Sequence, residues 1–336
     1  MIHLRLFAPS RRQPLFIRFI NGDKMPTVLK KIISAILTIL IVSCLVFLAF
    51  SIIPGDPAVA KLGTQATPEK LAALRASMGL DKSVPERFLT WILGVLHGDF
   101  GKSYSYSMPV TSLIKDKIPL TLMLTVYSFI LMIVLSVVLA VYAAWHENSL
   151  IDKILQILNQ VIMSIPPFFG GILITLFFGL GLKLFTPGGY VSYHVNFGRF
   201  MGYMFFPALA IALPKSAMAF NLLYTSLVEE GKKDYARTAF SRGNKTKDVF
   251  YKHLLKNACI PVITFLGMAL ADMVAGSIVI EQVFGIPGLG RILLTSIQNR
   301  DYPVVEAIIV IIAVLVVVSN LLVDILYRVV DPRTRS

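Results

Sequence analysis

The chain is poor in charge: 15% of its 336 residues are Asp, Glu, Lys or Arg, against about 25% in an ordinary soluble domain. With 56% apolar residues, it has more hydrophobic material than one soluble core absorbs, and the composition predicts an integral membrane protein. Cysteine is nearly missing. Cys44 lies inside an apolar run and Cys259 at the edge of another, which excludes a disulfide framework and leaves two inert thiols. His3, His97, His146, His194 and His253 are scattered, and neither a His-Glu-x-x-His motif nor a cysteine cluster occurs. No hydrolytic centre, metal site or bound cofactor is therefore predicted, and any uphill work must draw on a partner or an ion gradient. Acidic residues are also scarce, 19 against 32 basic, for a net charge of +13. In a membrane chain, basic cytoplasmic loops explain such an excess better than nucleic acid does.

What is abundant is long apolar runs. A spanning helix needs about 20 mostly apolar residues, and six stretches qualify: Ile32–Ile53, Leu120–Ala144, Val161–Leu182, Tyr203–Leu223, Ile260–Val283 and Val304–Tyr327. They are too long for strands and lack the alternation of a membrane barrel. The expected class is all-α with six transmembrane helices. Basic residues set the orientation. They cluster in the N-terminal segment (Arg5, Arg11, Arg12, Arg18, Lys24, Lys30, Lys31), in the loop after the fourth span (Lys232, Lys233, Arg237, Arg242, Lys245, Lys247, Lys252, Lys256) and in the tail (Arg328, Arg333, Arg335). Six spans put all three on one side, so both termini are expected in the cytoplasm.

This divides the chain into a cytoplasmic segment 1–31, a first span 32–53, an extracytoplasmic helical segment 54–118, a core 119–327 and a tail 328–336. Residues 1–24 carry no signal-peptide pattern. They fit either a membrane-surface helix or an upstream start-site artefact, since Met25 directly precedes a normal positive flank. In the outer segment, Pro54-Gly55-Asp56-Pro57 stops the first span, Thr67-Pro68 starts a helix and Pro85 to Leu96 reads as a second. Such a cap serves as a docking surface or as a plug over the span ends. Gly101-Lys102-Ser103 ends like a phosphate loop, but Leu96 stands where the first glycine belongs.

The segment 224–258 is long for a connection between bundle helices, and such lengths are usually functional. It reads as two amphipathic helices, Glu230–Arg242 and Lys245–Asn257, parted at Gly243. Tyr235, Ala239 and Phe240 fall on one side of the first, while Val249, Phe250, Leu254 and Leu255 form a face of the second. Small residues at Ala236 and Ala239 leave room for another surface. Such a basic pair suits anionic lipid or the groove of a cytoplasmic subunit.

Asp234-Tyr235-Ala236-Arg237-Thr238-Ala239, Gly243, and His253-Leu254-Leu255-Lys256-Asn257-Ala258 with Pro261 resemble the EAA loop of ABC importer permeases. The resemblance covers nearly the whole chain outside residues 1–24. Phe50-Ser51-Ile52-Ile53-Pro54-Gly55-Asp56-Pro57, Gly98-Asp99-Phe100-Gly101-Lys102-Ser103, Ser164-Ile165-Pro166-Pro167-Phe168, Glu281-Gln282-Val283-Phe284, Pro287-Gly288-Leu289-Gly290 and Arg300-Asp301-Tyr302-Pro303 are similar to the B-type permease subunit of dipeptide, oligopeptide and nickel importers. That family implies a type I importer permease fold in the inner cell membrane. It also implies a second permease subunit in a heterodimer, two cytoplasmic ATPases using ATP and Mg, and an extracytoplasmic substrate-binding protein. Asp234, Tyr235, Arg237, Thr238, Ala239, Gly243, His253 and Asn257 would then form the ATPase-coupling segment, with Gly243 as hinge. Where relatives commonly carry Arg after the fourth span, this chain reads Ala219-Phe220-Asn221-Leu222.

Lys215 and Asp272 are charges inside spans, costing about 2.5–3.5 kcal/mol each on insertion scales. They read either as one structural ion pair or as lining of the translocation path. Ser164, Pro166 and Pro167 join them as pathway candidates, because prolines remove backbone donors and break or kink the third span, as Pro207 and Pro214 would the fourth. Glu281, at the outer end of the fifth span, is expected to contact partner subunits or an outer gate. The cargo expected is a di- or oligopeptide, with nickel or a nickel chelate as the alternative. A self-sufficient secondary transporter should show inverted repeats, which are not seen, and a membrane-anchored enzyme would need convergent nucleophiles or metal ligands.

Overall fold

The structure, a computed structural model, describes residues 27–52, 55–63 and 66–330. The stretch 1–24, expected as a surface helix or a start-site artefact, and the tail residues Arg333 and Arg335 lie outside them. Among the described residues there is no strand, and every regular element is a helix.

Helix α1 (Thr27–Ile52) is apolar all round and leaves Ile36 and Leu45 largely exposed, as suits a helix at the lipid-facing edge of a bundle. A cap of short helices follows: α2 (Pro57–Leu62), α3 (Pro68–Ser77), α4 (Val84–Leu96) and α5 (Val110–Ile114). Their starts follow the sequence signals. The Asp56 carboxylate accepts the Ala58 N–H at 2.8 Å to cap α2, and the Thr67 hydroxyl accepts the Lys70 N–H to cap α3, each with proline in the first turn. The cap is anchored on the first span by the rings of Phe88 and Trp91 against Phe47.

The bundle consists of α6 (Ile118–Trp145), the pair α7 (Leu150–Ser164) and α8 (Pro167–Ile174), and α9 (Phe197–Gly231). After α10 (Asp234–Ser241) and α11 (Thr246–Val249) come α12 (Leu255–Phe284), α13 (Leu289–Gln298) and α14 (Tyr302–Val330). α9 packs most extensively on α6 and then on α12. Small residues permit this: Ser128, Ala140 and Ala143 of α6 and Ala208, Ala212 and Ala219 of α9 are all buried. The hydroxyls of Thr125 and Ser128 return to carbonyls one turn back, so close approach leaves no polar atom unpaired.

Among the described residues, five helices are long and apolar enough to span a membrane, and a sixth span arises if α7 and the helical stretch Pro167–Gly181 count as one, bent by 108° at the break between them. The third span breaks at its prolines as expected, into two helices with Pro167 opening the second, while two other sequence expectations change. Pro207 and Pro214 do not break the fourth, which runs through both, because each costs a single backbone bond inside a tightly packed helix. The expected 224–258 loop shrinks to residues 232–245. Tyr224 to Gly231 completes α9, held by buried Leu227 and by the Tyr224 hydroxyl on Asp152 at 3.0 Å. From Thr246 onward the chain is already the fifth span, entered through a wide π-helical turn at Phe250–Leu254.

Candidate functional site

Most of the residues expected to act fall in two polar constellations, one at the α10 end and one halfway along α9 and α12.

Helix α10 has two faces. Ala236 and Ala239, three residues apart, are buried against Phe250, Leu254 and Leu223, so the small residues approach this chain's own spans rather than a partner's surface. Phe240, expected on that side, is instead exposed beside Asp234, Arg237 and Thr238. Asp234 and Arg237 stand 3.9 Å apart with side chains 100% and 76% exposed, a geometry that adds little to stability. The helix is held at its start by Tyr235, whose hydroxyl donates to Glu230 at 2.5 Å while Lys233 pairs with the other oxygen of that carboxylate. Burial, and then the Glu230 carboxylate, raise the Tyr235 hydroxyl above its usual pKa; Asn257 also bonds it. At the other end, Asn244 donates to the Ala239 carbonyl at 3.0 Å, and Gly243 turns the chain at φ 77°, the conformation for which glycine has no steric cost. His253 is exposed on the π-helical turn. The structure thus gathers Asp234, Tyr235, Arg237, Thr238, Ala239, Gly243 and Asn257 around one short helix, with His253 on the neighbouring turn.

Lys215 of α9 and Asp272 of α12 form an ion pair at 2.5 Å. The pair is made, yet it is not enclosed: its side chains are 22% and 61% exposed, in line on α12 with exposed Met268 and Val279. A charge so open at mid-span is costly against lipid, so this face meets protein or water. Ser164, Pro166 and Pro167 lie at the bend between α7 and α8, which is clasped to α9 by Asn159 donating to the Ala217 carbonyl at 3.0 Å and to Asn221 at 2.9 Å. No hydrogen bond or ion pair among the described residues joins the bend to Lys215 and Asp272.

Glu281 is a correction. It is 0% exposed, inside the chain rather than at a gate or partner surface. Its carboxylate accepts the Thr121 hydroxyl and the Gly290 N–H, both at 2.6 Å, while Thr121 Oγ1 in turn accepts the Leu289 N–H. It caps the start of α13 from another helix. The same contact explains Pro287-Gly288-Leu289-Gly290: a Cβ on Gly288 would strike this carboxylate, and one on Gly290 the backbone of Ile278.

Sequence reasoning missed Asp301 as a site residue. Fully buried, it accepts the Ser103 hydroxyl at 2.5 Å and the N–H groups of Tyr104 and Ser105, joining segments nearly 200 residues apart. Burial pushes the neighbouring Tyr104 hydroxyl up to about 12. Asp152 was missed as well, though the Ser149-to-Asp152 spacing of a helix cap could have found it.

Residues 136–336 match the family described as "Binding-protein-dependent transport system inner membrane component", and residues 25–125 match the corresponding N-terminal family. The "Probable peptide ABC transporter permease protein y4tP" of Sinorhizobium fredii is 32% identical over 308 residues, covering 92% of this chain and 98% of the relative. The "Glutathione transport system permease protein GsiC" of Salmonella typhi is 34% identical over the same shares. With both parts matched and relatives covered almost end to end, the chain belongs to the family of inner membrane components of binding-protein-dependent transport systems, multi-pass permeases that work with ATPase and binding-protein components.

Proposed function

We propose that this chain forms one half of the translocation pathway of an ATP-driven importer of short peptides. The observation that carries the reading is α10: its alanine face is locked to the ends of α9 and α12, and its outward face offers Asp234, Arg237, Thr238 and Phe240. A push on such a helix moves as a rigid body the two spans that bear Lys215 and Asp272. In this reading α10 seats in an ATPase cleft, Arg237 meets an ATPase carboxylate, and the Gly243 turn keeps the helix at its angle to α12.

Two cytoplasmic ATPases would supply ATP and Mg chemistry, leaving this chain without a cofactor of its own. A second permease subunit would cover the open Lys215–Asp272 face as the other half of a heterodimer, enclosing an aqueous path. The basic residues at 24–31 and 232–256 support cytoplasmic termini and a cytoplasmic α10. The cap would then face outward, toward the binding protein. Relatives named for peptide and glutathione transport support a peptide cargo over nickel.

The test is uptake of a labelled dipeptide and of labelled nickel in cells with and without the gene. Loss of dipeptide uptake alone is the expected result. Loss of nickel uptake alone would overturn the cargo while leaving the importer.

A further inference from the structure

Three carboxylates are buried in the cap half of the chain, and one differs from the others. Glu281 and Asp301 are surrounded by donors. Glu306, on α14 and only 5% exposed, has no hydrogen-bond or ion-pair partner among the described residues. A carboxylate taken out of water without donors is costly, and it finds its partner in whatever space it faces.

Glu306 faces a cavity of about 690 Å³ between the cap helices, α1 and α14, within the range of small-ligand sites. A second group there is also unmatched: the Trp91 Nε1–H of α4 lines the cavity, buried without an acceptor. Arg87 of α4 lines it too, its guanidinium 5.5 Å from the Phe47 ring centre and in no ion pair among the described residues. Lys61, Lys82 and Lys102 add positive charge to its walls, Lys82 in an exposed pair with Glu86 at 3.2 Å and Lys61 donating to the Ser107 hydroxyl. The cavity therefore has one acid and four bases, with Arg87 and Glu306 both present and not closed on each other. A simple anion would leave Glu306 unmatched and repelled. A simple cation would meet the four basic side chains. A zwitterion satisfies both, with a donor for Glu306, an acceptor for the indole and an anionic end for Arg87.

We propose that this cap cavity binds a short peptide by its two termini, the ammonium on Glu306 and the carboxylate on Arg87, apart from the face that carries Lys215 and Asp272. The proposal rests on the peptide reading above and adds a site for that cargo on the permease itself.

The assembled membrane complex, in nanodiscs of phosphatidylcholine and phosphatidylglycerol and without its binding protein, is titrated with Ala-Phe, N-acetyl-Ala-Phe and Ala-Phe-amide. Acetylation and amidation should each weaken binding to the wild type by about 10-fold or more. Glu306→Gln should bind the free and acetylated peptides alike while still rejecting the amide, and Arg87→Gln should show the reverse. If Glu306→Gln does not assemble, Arg87→Gln still reads the carboxylate end. Absence of binding at millimolar peptide, or discrimination unchanged in the variants, would overturn the proposal. So would displacement of the peptide by phosphatidylethanolamine in the discs, which would give the same ammonium pairing to a lipid headgroup. Dipeptide uptake that depends on the gene, with no discrimination in this titration, would remove the cavity site and leave the importer standing.

Discussion

At the cap end Glu281 and Asp301 are wholly buried, each accepting hydrogen bonds from groups far away in sequence. At the α10 end Asp234 and Arg237 stand in the open, 3.9 Å apart, and alanines do the fastening. The same kinds of side chain thus do opposite work. A carboxylate supplied with donors in a dry interior clamps loops, and losing it leaves those donors stranded. A charged pair on an exposed helix contributes little to folding and stays available to another surface. Glu281 and Asp301 are consumed by the fold, whereas Asp234 and Arg237 are left over.

The sharpest way to break that contrast is Glu281→Ala. It strands the Thr121 hydroxyl and the Gly290 N–H, at about 1–3 kcal/mol for each buried donor and so about 2–6 kcal/mol together. The expected result is loss of assembled complex on gel filtration of detergent extracts. Normal yield and melting temperature would show that the clamp is dispensable. Asp301→Asn should cost less, about 1.5–3 kcal/mol, because one oxygen still accepts while the new amide opposes an N–H of Tyr104 or Ser105. A lowered melting temperature with transport retained is expected.

Gly243→Pro tests the other end. Proline cannot reach φ 77° and removes the N–H that bonds the Phe240 carbonyl at 2.9 Å. No group crowds Gly243, so the damage should stay local, on the order of 1–3 kcal/mol. Yield should hold while uptake falls by about 10-fold or more; unchanged uptake would refute the coupling role. Arg237→Glu should have the smallest structural effect, with no measurable shift in melting temperature, yet it should depress uptake if α10 meets an ATPase carboxylate. Equal uptake in that variant would free the exposed face of any such role.

Much of this was legible in residues. Apolar runs of span length, the Pro166-Pro167 break, the proline-led start of α3 and the positive φ at Gly243 all follow from local rules, since each depends on a few neighbouring residues. The pairing of Lys215 with Asp272 was open to expectation because two charges inside apolar spans have few other partners. Phe240 does not share the buried face because it stands five residues from Tyr235, about 140° around a helix of 3.6 residues per turn, so the face centred on Ala236 and Ala239 cannot hold both. Glu281 was misread because its neighbours in sequence give no sign of Thr121 and Gly290, which come from α6 and the start of α13.

The sequence by itself determined the class, the spans and the order of motifs, because hydrocarbon thickness and backbone hydrogen bonding leave a long apolar run little choice but a helix. Only the tertiary structure decided which charges the chain keeps for itself. Whether a carboxylate is a clamp, an open pair or an unmatched group in a cavity depends on donors brought from up to two hundred residues away, and that is settled by how helices pack and not by local pattern.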